Sequence, residues 1–277
     1  MALGIGTYAT FWEWSPRNPT PISLVGMIER THELGCEVFQ ICDYPQIEEM
    51  EGTQLEEVKA QADELGVELE LGTRGTEVQH LTKYLDIANI LGTRTVRSMV
   101  QVGEGKPSFE QSLQNVKDLL PRLHDQKVAL AFETYEQLST AKLVEFVKRI
   151  DDEAVGIALD PANCVAGLEH PNDVIKRCAP YTINLHVKDF AFSRRAGWVG
   201  FTYAGAEMGK GQLDFAYEIE QVRPVERNIN MIVEHWLVWQ ENVEKTIQLE
   251  QKWTRDTIEY IRAHVKSKQT IKLDKEK

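Results

Sequence analysis

The sequence predicts a single-domain protein of the α/β class, a closed (β/α)8 barrel. Short apolar runs bounded by turn residues occur eight times, and segments with helical spacing separate them. Strands separated by helices pair in parallel, because a parallel neighbour requires a long crossover connection. No Gly-x-Gly-x-x-Gly motif follows the first strand, so a closed barrel is favoured over a doubly wound sheet.

The elements follow each other regularly along the chain. Strands are predicted to begin near residues 4, 37, 67, 95, 128, 155, 182 and 230. Helices are predicted at about 22–34, 54–65, 77–91, 108–124, 139–149, 171–178 and 243–265. We expect an aromatic-rich loop at 12–16 and a long loop at 191–211, whose glycines and aromatic residues are typical of a lid. The barrel is predicted to span residues 1–265, followed by a polar tail at 266–277.

Length, charge and cysteine usage limit the possible functions. The chain has 277 residues, which suits one barrel domain of about 250 residues. With 31 Lys and Arg against 43 Asp and Glu, the net charge of −12 disfavours a nucleic-acid partner. No apolar run is long enough to span a membrane. The 4 cysteines show no C-x-x-C spacing, which indicates free, buried thiols in a cytoplasmic protein.

Four successive strands end in side chains that bind metals. They are Glu133, Asp160, His186 and Glu234, on strands five to eight. The C-terminal strand ends of such a barrel meet on one face, so we expect these side chains to surround one point. One carboxylate at such a position is more often a helix N-cap, but four consecutive strands predict a shared site. Three carboxylates and one imidazole favour Mn²⁺, with Mg²⁺ or Co²⁺ as alternatives.

The same four residues carry a family resemblance. With the histidine placed in His-Val-Lys-Asp, they resemble the sugar phosphate isomerase/epimerase superfamily, the xylose isomerase-like TIM barrels, over residues 4 to about 265. The ketose 3-epimerases of this superfamily imply an acid/base pair formed by the first and last glutamates, here Glu133 and Glu234. The sequences His-Val-Lys-Asp-Phe and Gly-Thr-Arg-Gly also resemble the 3-oxo-isoapionate decarboxylase branch.

Two positions depart from the ketose 3-epimerase pattern. Asn163 stands where the resemblance implies the histidine of Asp-x-x-His, and Phe192 stands where it implies an arginine. Plain 3-epimerisation of a free ketose therefore fits incompletely. The endonuclease branch fits less well, because the histidines that its three-zinc site needs after strands two, three and six are missing.

Cationic and amide side chains near the strand ends are expected to contact the substrate. The expected contacts are Arg74, Asn163, Lys188, Arg97 and Arg195. Arginine binds a carboxylate or phosphate as a planar fork and lysine binds it as a point charge, which favours an anionic sugar derivative. In the simpler alternative, some of these cations only neutralise nearby acids such as Asp43 and Asp189.

Side-chain direction along the last strands adds further expectations. Lys188 lies two residues after His186 and so points to the same side of the strand, and we include it among the catalytic residues. His235 alternates away from Glu234 and is expected to face the helices. Tryptophans are expected to form an apolar wall beside the sugar, and the candidates are Trp12, Trp14, Trp198 and Trp236.

These observations predict a divalent-metal-dependent enzyme that acts on a keto sugar or sugar acid through an enediolate. A bound ion acidifies the C–H between a carbonyl and a hydroxyl, and a nearby carboxylate moves the proton. Isomerisation or epimerisation is the preferred reaction. The alternative is a lyase that decarboxylates a 3-oxo sugar acid or eliminates from a 3-oxo glycoside, and the remote alternative is a non-catalytic sugar-binding barrel. We also expect a homo-oligomer.

Overall fold

The computed structural model describes residues 1–101 and 103–265 and confirms the closed barrel. The strands are β1 (Leu3–Gly6), β2 (Val38–Cys42), β3 (Glu68–Gly72), β4 (Thr95–Ser98), β5 (Ala129–Glu133), β6 (Val155–Leu159), β7 (Thr182–Val187), β8 (Asp189–Arg194), β9 (Phe201–Ala206) and β10 (Asn230–Val233). The barrel runs in the order β1, β10, β7, β6, β5, β4, β3, β2 and closes through parallel pairing of β1 with β2. The predicted tail, 266–277, lies outside the described residues.

Helices surround the barrel in the predicted rhythm. They are α1 (Phe11–Trp14), α2 (Leu24–Glu33), α3 (Gly52–Leu65), α4 (Val78–Leu91), α5 (Phe109–Gln126), α6 (Thr140–Ile150), α7 (Pro161–Cys164), α8 (Pro171–Cys178), α9 (Phe215–Val222), α10 (Pro224–Arg227) and α11 (Val243–His264). Ser23, Ser108 and Asn242 accept backbone N–H groups at the starts of α2, α5 and α11, which explains where these helices begin. The short helices α1, α7 and α10, and also α9, are not among the predicted helices.

The first short helix replaces part of the expected aromatic loop at 12–16. The carboxylate of Glu250, from α11, accepts the backbone N–H groups of Trp12 at 2.9 Å and of Glu13 at 3.2 Å. These bonds satisfy donors that the first turn of a helix leaves free. Because this cap comes from a residue more than two hundred positions away, local sequence could not reveal it.

The expected loop at 191–211 is largely an antiparallel ribbon. β8 pairs with β9 from Asp189 opposite Ala206 to Arg194 opposite Phe201. The Asp189 carboxylate holds the base of this ribbon, because Oδ2 accepts the N–H groups of Gly209 at 2.9 Å and Gly211 at 2.8 Å. A side chain at Gly211 would collide with Asp189, since a Cβ there would lie 2.2 Å from Oδ1. Asp189 is thus occupied by backbone donors.

The barrel interior contains a network of polar side chains that are connected by hydrogen bonds. Glu70 on β3 accepts from Asn230 Nδ2 at 2.9 Å through Oε1, and from Gln40 Nε2 at 3.0 Å and Asn184 Nδ2 at 2.9 Å through Oε2. These partners lie on β10, β2 and β7, so the bonds cross the inside of the barrel. Burial raises the pKa of Glu70, although the three amide donors oppose this effect.

The apolar residues of the strands pack outward against the helices. Phe132 on β5 and Phe146 on α6 are fully buried, with ring centroids 5.1 Å apart in an edge-to-face arrangement. All four cysteines are buried and free, as expected. Within the described ranges, none of the helices combines the length and hydropathy that crossing a bilayer requires.

Candidate metal centre and substrate cavity

Adjacent strands bring the four predicted metal ligands together. Glu133 ends β5, Asp160 and Glu234 directly follow β6 and β10, and His186 lies in β7. Ligand atoms of Glu133, Asp160 and His186 all lie within 4.8 Å of one another. His186 Nδ1 is 3.7 Å from Glu133 Oε1, 4.0 Å from Asp160 Oδ2 and 3.4 Å from Glu234 Oε1. The four strand ends therefore form one cluster.

The chemistry of this cluster suits a divalent metal ion. All four side chains are buried, yet both ring nitrogens of His186 and Oε1 of Glu234 have no hydrogen-bond partner among the residues described. Buried polar atoms are nearly always paired, so such orphaned atoms indicate a place for a ligand. Carboxylate and imidazole donors without thiolate match ions such as Mn²⁺, Mg²⁺ or Zn²⁺.

Asp160 serves both the backbone and the cluster. Its Oδ1 accepts the backbone N–H of Ala162 at 3.1 Å and caps α7, whose first residue is Pro161. Its Oδ2 lies 2.6 Å from Lys188 Nζ, on the cluster side. The helix cap and the contact within the cluster therefore use different oxygens of one carboxylate.

Lys188 lies within the cluster. Its Nζ is 3.0 Å from Glu234 Oε2 as well as 2.6 Å from Asp160 Oδ2, and it lies 4.4 Å from the centroid of the Trp236 ring. Burial alone would lower the pKa of Lys188, but the negative charges of Asp160 and Glu234 outweigh burial and raise it. The lysine is therefore held as an ammonium ion beside the candidate metal ligands.

Two donors hold the carboxylate of Glu133. Arg97 Nε donates to Oε2, and Asn163 Nδ2 donates to Oε1 at 2.6 Å. Arg97 is itself fixed, because Nη1 donates to the carbonyl oxygen of Thr73 at 2.9 Å. Burial would raise the pKa of Glu133, but Arg97 and His186 lower it to about 2. Glu133 is therefore an ionised carboxylate, and each of its oxygens accepts one hydrogen bond.

Arg74 forms a second cationic group with Asp43 and Tyr8. Its Nε donates to Asp43 Oδ1 at 3.0 Å, and its Nη2 donates to Asp43 Oδ2 at 2.8 Å and to Tyr8 Oη at 3.2 Å. Asp43 also lies 3.5 Å from Arg97 Nη1 and adopts a left-handed φ of 49°. The side chain of Arg74 is 44% exposed, compared with 3% for Arg97 and 4% for Lys188. Of these three cations, Arg74 is the most accessible to a ligand.

A cavity of about 250 Å³ opens above the cluster. Its lining includes six of the predicted catalytic, metal and substrate residues, which are Arg74, Arg97, Glu133, Asn163, Lys188 and Glu234. Residues that the sequence did not single out also line it, and they are Tyr8, Met99, Tyr135, Glu136, Ala166 and Tyr203. Tyr8 and Tyr135 each lie two residues beyond the end of a strand, so the strand-end rule that found the ligands could have found them. Tyr203 lies on the ribbon and carries no such signal.

Several expected contacts lie elsewhere. Arg195 lies at the exposed tip of the ribbon, where its backbone N–H bonds to Gly200 O at 3.3 Å, and it does not line the cavity. Among the tryptophans, Trp236 lines the cavity, whereas Trp198 is 80% exposed at the ribbon tip. Trp12 lies in a neighbouring apolar cleft and Trp14 packs against the core. The continuous wall of four tryptophans is not formed.

His235 faces the helices, as predicted. Its Nε2 lies 3.2 Å from Thr254 Oγ1, and its ring meets that of Trp253 edge to face at 5.9 Å, both on α11. Burial lowers the pKa of His235 to about 4. The imidazole is therefore neutral at physiological pH and belongs to the packing between strand and helix.

Comparison with known proteins places this cavity in a family context. The family model described as "Xylose isomerase-like TIM barrel" matches residues 28–263. The chain is 47% identical, over 261 residues, to a protein of Pectobacterium atrosepticum named "3-oxo-isoapionate decarboxylase", covering 94% of this chain and 95% of that protein.

Solved structures share the fold at much lower identity. A D-psicose 3-epimerase structure determined with D-fructose superimposes with a TM-score of 0.71 at 15% identity, covering 95% of this chain and 99% of the other. A xylose isomerase-like TIM barrel protein from Mycobacterium smegmatis in complex with magnesium gives a TM-score of 0.68 at 15% identity, covering 93% of this chain and 97% of the other.

The 47% relationship extends over nearly the full length of both chains and supports an enzyme, so the remote alternative of a non-catalytic sugar-binding barrel is set aside. The strand-end ligands, the closed barrel and the match over residues 28–263 agree with one another. The chain belongs to the xylose isomerase-like TIM barrel family.

Proposed function

We propose that this enzyme decarboxylates a 3-oxo sugar acid with the help of a divalent metal ion. The sequence alone favours isomerisation or epimerisation and keeps this lyase reaction as the alternative. Two findings now support the lyase: the 47% identity to a protein named 3-oxo-isoapionate decarboxylase, and the arrangement of cations in the cavity. The substrate class is a sugar acid with a keto group β to its carboxylate, such as 3-oxo-isoapionate.

The observation that carries the proposal is the position of Lys188. Its ammonium group is buried, bonds to Asp160 and Glu234, and lies against the face of Trp236 on the cavity wall. Decarboxylation leaves an electron pair on carbon, so the reaction needs a proton donor rather than two bases. A lysine held in its protonated form on the cavity wall supplies that donor.

Arg74 meets a second requirement of the reaction, which is recognition of the substrate carboxylate. Of its five N–H donors, the one on Nε and the two on Nη2 are used by Asp43 and Tyr8. The two donors on Nη1 have no partner among the described residues and are available to a substrate oxygen. A charge-assisted hydrogen bond of this kind orients an anionic substrate.

The proposed reaction conserves atoms and charge. The bond between the carboxylate carbon and the α-carbon breaks, CO₂ leaves, and the electron pair forms the enediolate with the neighbouring ketone. Lys188 Nζ then transfers one proton to the α-carbon, which gives a ketose, and solvent restores the proton to the lysine. The net reaction consumes one proton and one keto acid and releases one CO₂ and one ketose.

Glu133, Asp160, His186 and Glu234 would hold the ion. A divalent ion bound there supplies charge that stabilises a developing oxyanion. We propose Mn²⁺ as the preferred ion, with Mg²⁺ or Co²⁺ as alternatives, because three oxygen-donor side chains dominate the set. A cytoplasmic location and a homo-oligomeric state remain predictions, and the four free cysteines are consistent with a reducing compartment.

Isomerisation or epimerisation is the second candidate, because Glu133 and Glu234 both line the cavity. The two reactions give different products from the same protein. Incubation with Mn²⁺ and 3-oxo sugar acids is expected to release CO₂, whereas an epimerase would instead convert a free ketose. Epimer formation from ketoses without CO₂ release from any 3-oxo sugar acid would overturn the decarboxylase proposal.

A matched pair of variants tests the role of Lys188. We expect Lys188→Met to lower the rate of CO₂ release by about 10²-fold or more, in line with the usual contribution of general acid catalysis. Lys245→Met removes an exposed lysine of α11 that pairs with Glu241, and it serves as the control. Equal rates for the two variants would show that Lys188 is not the proton donor.

A further inference from the structure

We infer that Arg97 and Asn163 determine reaction specificity by preventing Glu133 from acting as a base, so that protons reach carbon from one face only. This inference rests on the proposed function. It concerns how the enzyme stops at its product, and it assigns a role to Asn163, which stands where the ketose 3-epimerase pattern implies a histidine.

The ketose formed by decarboxylation is itself open to further reaction. Its new C–H lies beside a carbonyl, and carboxylates on both faces could remove and return that proton and so scramble the configuration. The resemblance to ketose 3-epimerases implies two such carboxylates, Glu133 and Glu234, both of which line the cavity. A decarboxylase built on this ligand set therefore needs one of them to be disabled as a base.

Glu133 is the carboxylate that the structure disables. Arg97 donates to its Oε2 and Asn163 donates to its Oε1, so each oxygen already accepts a hydrogen bond that holds its orientation and that would weaken if Glu133 took a proton from a substrate C–H. Both donors are fixed. Arg97 is 2% exposed and bonds to Thr73 O at 2.9 Å, and Asn163 Nδ2 also lies 3.2 Å from Thr134 O.

Glu234 is held differently. Its Oε2 bonds to Lys188 at 3.0 Å, and its Oε1 has no hydrogen-bond partner within the described part of the chain. Glu133 and Glu234 stand at the two ends of the arc formed by the adjacent strands β5, β6, β7 and β10. A substrate carbon between them would be approached by Lys188 and Glu234 from one side and by Glu133 from the other, and only the first side offers a proton donor.

Deuterium exchange into dihydroxyacetone tests this inequality, because each CH₂OH carbon of that ketose carries two hydrogens on opposite faces. In D₂O with Mn²⁺, the wild-type protein is expected to exchange at most one hydrogen per carbon. Asn163→Ala and Arg97→Gln each free one oxygen of Glu133, so we expect both hydrogens to exchange, with doubly deuterated carbon appearing at least about 10-fold faster than in the wild type. NMR resolves singly from doubly deuterated carbon.

Lys245→Met, which removes an exposed lysine of α11 outside the cavity lining, is the control, and it should give no more doubly deuterated carbon than the wild type. Metal affinity, measured by calorimetry, should be retained in Asn163→Ala, which shows that the ion site is intact. If Arg97→Gln does not fold, Asn163→Ala decides. The inference is overturned if Asn163→Ala binds metal without forming doubly deuterated carbon, or if the wild type already forms it at the same rate.

This outcome is separate from the fate of the proposed function. The exchange experiment uses a ketose and needs no decarboxylation. Absence of CO₂ release from every 3-oxo sugar acid would remove the proposed function, whereas equal exchange in the wild type and Asn163→Ala would remove only the specificity role of Arg97 and Asn163.

Discussion

The interior of the barrel and its mouth both bury carboxylates. The two regions differ in whether all of their buried carboxylate and imidazole atoms have hydrogen-bond partners. In the interior, Glu70 uses both oxygens to accept from three amide groups on three other strands. At the mouth, four potential ligands lie close together, and atoms of His186 and Glu234 have no partner among the described residues. Burial is nearly complete in both places, so burial alone does not distinguish structure from function.

The difference lies in whether the polar atoms are satisfied. An unpaired buried polar atom is unfavourable by about 1–3 kcal/mol, so unpaired atoms on several neighbouring potential ligands indicate a place where a bound group pairs them. Both oxygens of Glu70 are paired, and its hydrogen bonds tie β3 to β2, β7 and β10, although Oε1 of Gln40 has no partner among the described residues. The mouth cluster is incomplete by itself, which is the physical sign of a site for an ion or a substrate.

The first prediction concerns a variant that lacks one of the proposed metal-binding side chains at the mouth. Asp160→Ala is expected to lose stoichiometric metal and to lower turnover by more than about 100-fold, the upper range for residues that only support a metal ligand. Metal content by mass spectrometry and the rate of CO₂ release provide the measurements. Glu70→Gln is the matched control in the interior and should retain its metal. Full metal occupancy and turnover in Asp160→Ala would mean that the mouth cluster is not the metal site.

The second prediction concerns removal of the ion. An ion that binds only the folded protein stabilises it by about 2.7 kcal/mol at a concentration 100 times its Kd. Chelation should therefore lower the melting temperature of the wild type and of Glu70→Gln by similar amounts. Asp160→Ala should show little change with chelator. The opposite result would be a chelator that lowers the melting temperature of Asp160→Ala as in the wild type but leaves that of Glu70→Gln unchanged. That result would place the metal site in the interior and not at the mouth.

The sequence predicts the mouth better than the interior for a physical reason. The proposed metal ligands occur once per strand near the C-terminal end, so a spacing rule finds the cluster of Glu133, Asp160 and His186 from the chain alone. In Val-Glu-Leu-Glu-Leu, which overlaps most of β3, Glu68 and Glu70 by contrast occupy equivalent positions of the alternation. Only the fold reveals that Glu68 is exposed and Glu70 is buried.

The sequence also could not identify hydrogen-bond partners that lie on different strands of the barrel. The expectation that Arg97 and Asn163 contact substrate did not include their shared bonds to Glu133, because these depend on which strands lie side by side. The ribbon of β8 and β9 was expected as a loop, since glycines and aromatic residues occur in both. Its formation leaves Arg195 at an exposed tip and brings Tyr203 to the cavity instead.

The third prediction concerns the hydrogen-bond network in the interior of the barrel. Glu70→Gln keeps the size of the side chain but places an amide donor among the amides of Gln40, Asn184 and Asn230. We expect the free energy of unfolding to fall by about 1–3 kcal/mol, the usual loss for one unsatisfied buried group. Urea unfolding measures it, and the kinetic constants of the folded variant should stay close to wild type. An unchanged stability would mean that the network rearranges without loss.

The last prediction uses pH to separate the wild type from Glu70→Gln. Burial raises the pKa of Glu70 above its ordinary value of 4.5, so the folded state holds a proton that the unfolded state has already released. The resulting stability is fully present below pH 4.5 and is lost as the pH rises through the raised pKa of the folded state. Glu70→Gln lacks this proton, so the wild type should gain stability relative to the variant as the solution is acidified, by about 1.4 kcal/mol for each unit of pKa difference.

Urea unfolding of both proteins with chelator, between about pH 4 and 8, measures this difference, and titrations at the mouth cancel because both proteins share them. If the stability of the wild type relative to Glu70→Gln does not change with pH, or if it increases toward alkaline pH, the three amides keep Glu70 ionised in the fold. Glu70 would then carry the same charge as the mouth carboxylates. The two regions would in that case be distinguished not by charge but by the atoms of His186 and Glu234 that lack a partner among the described residues.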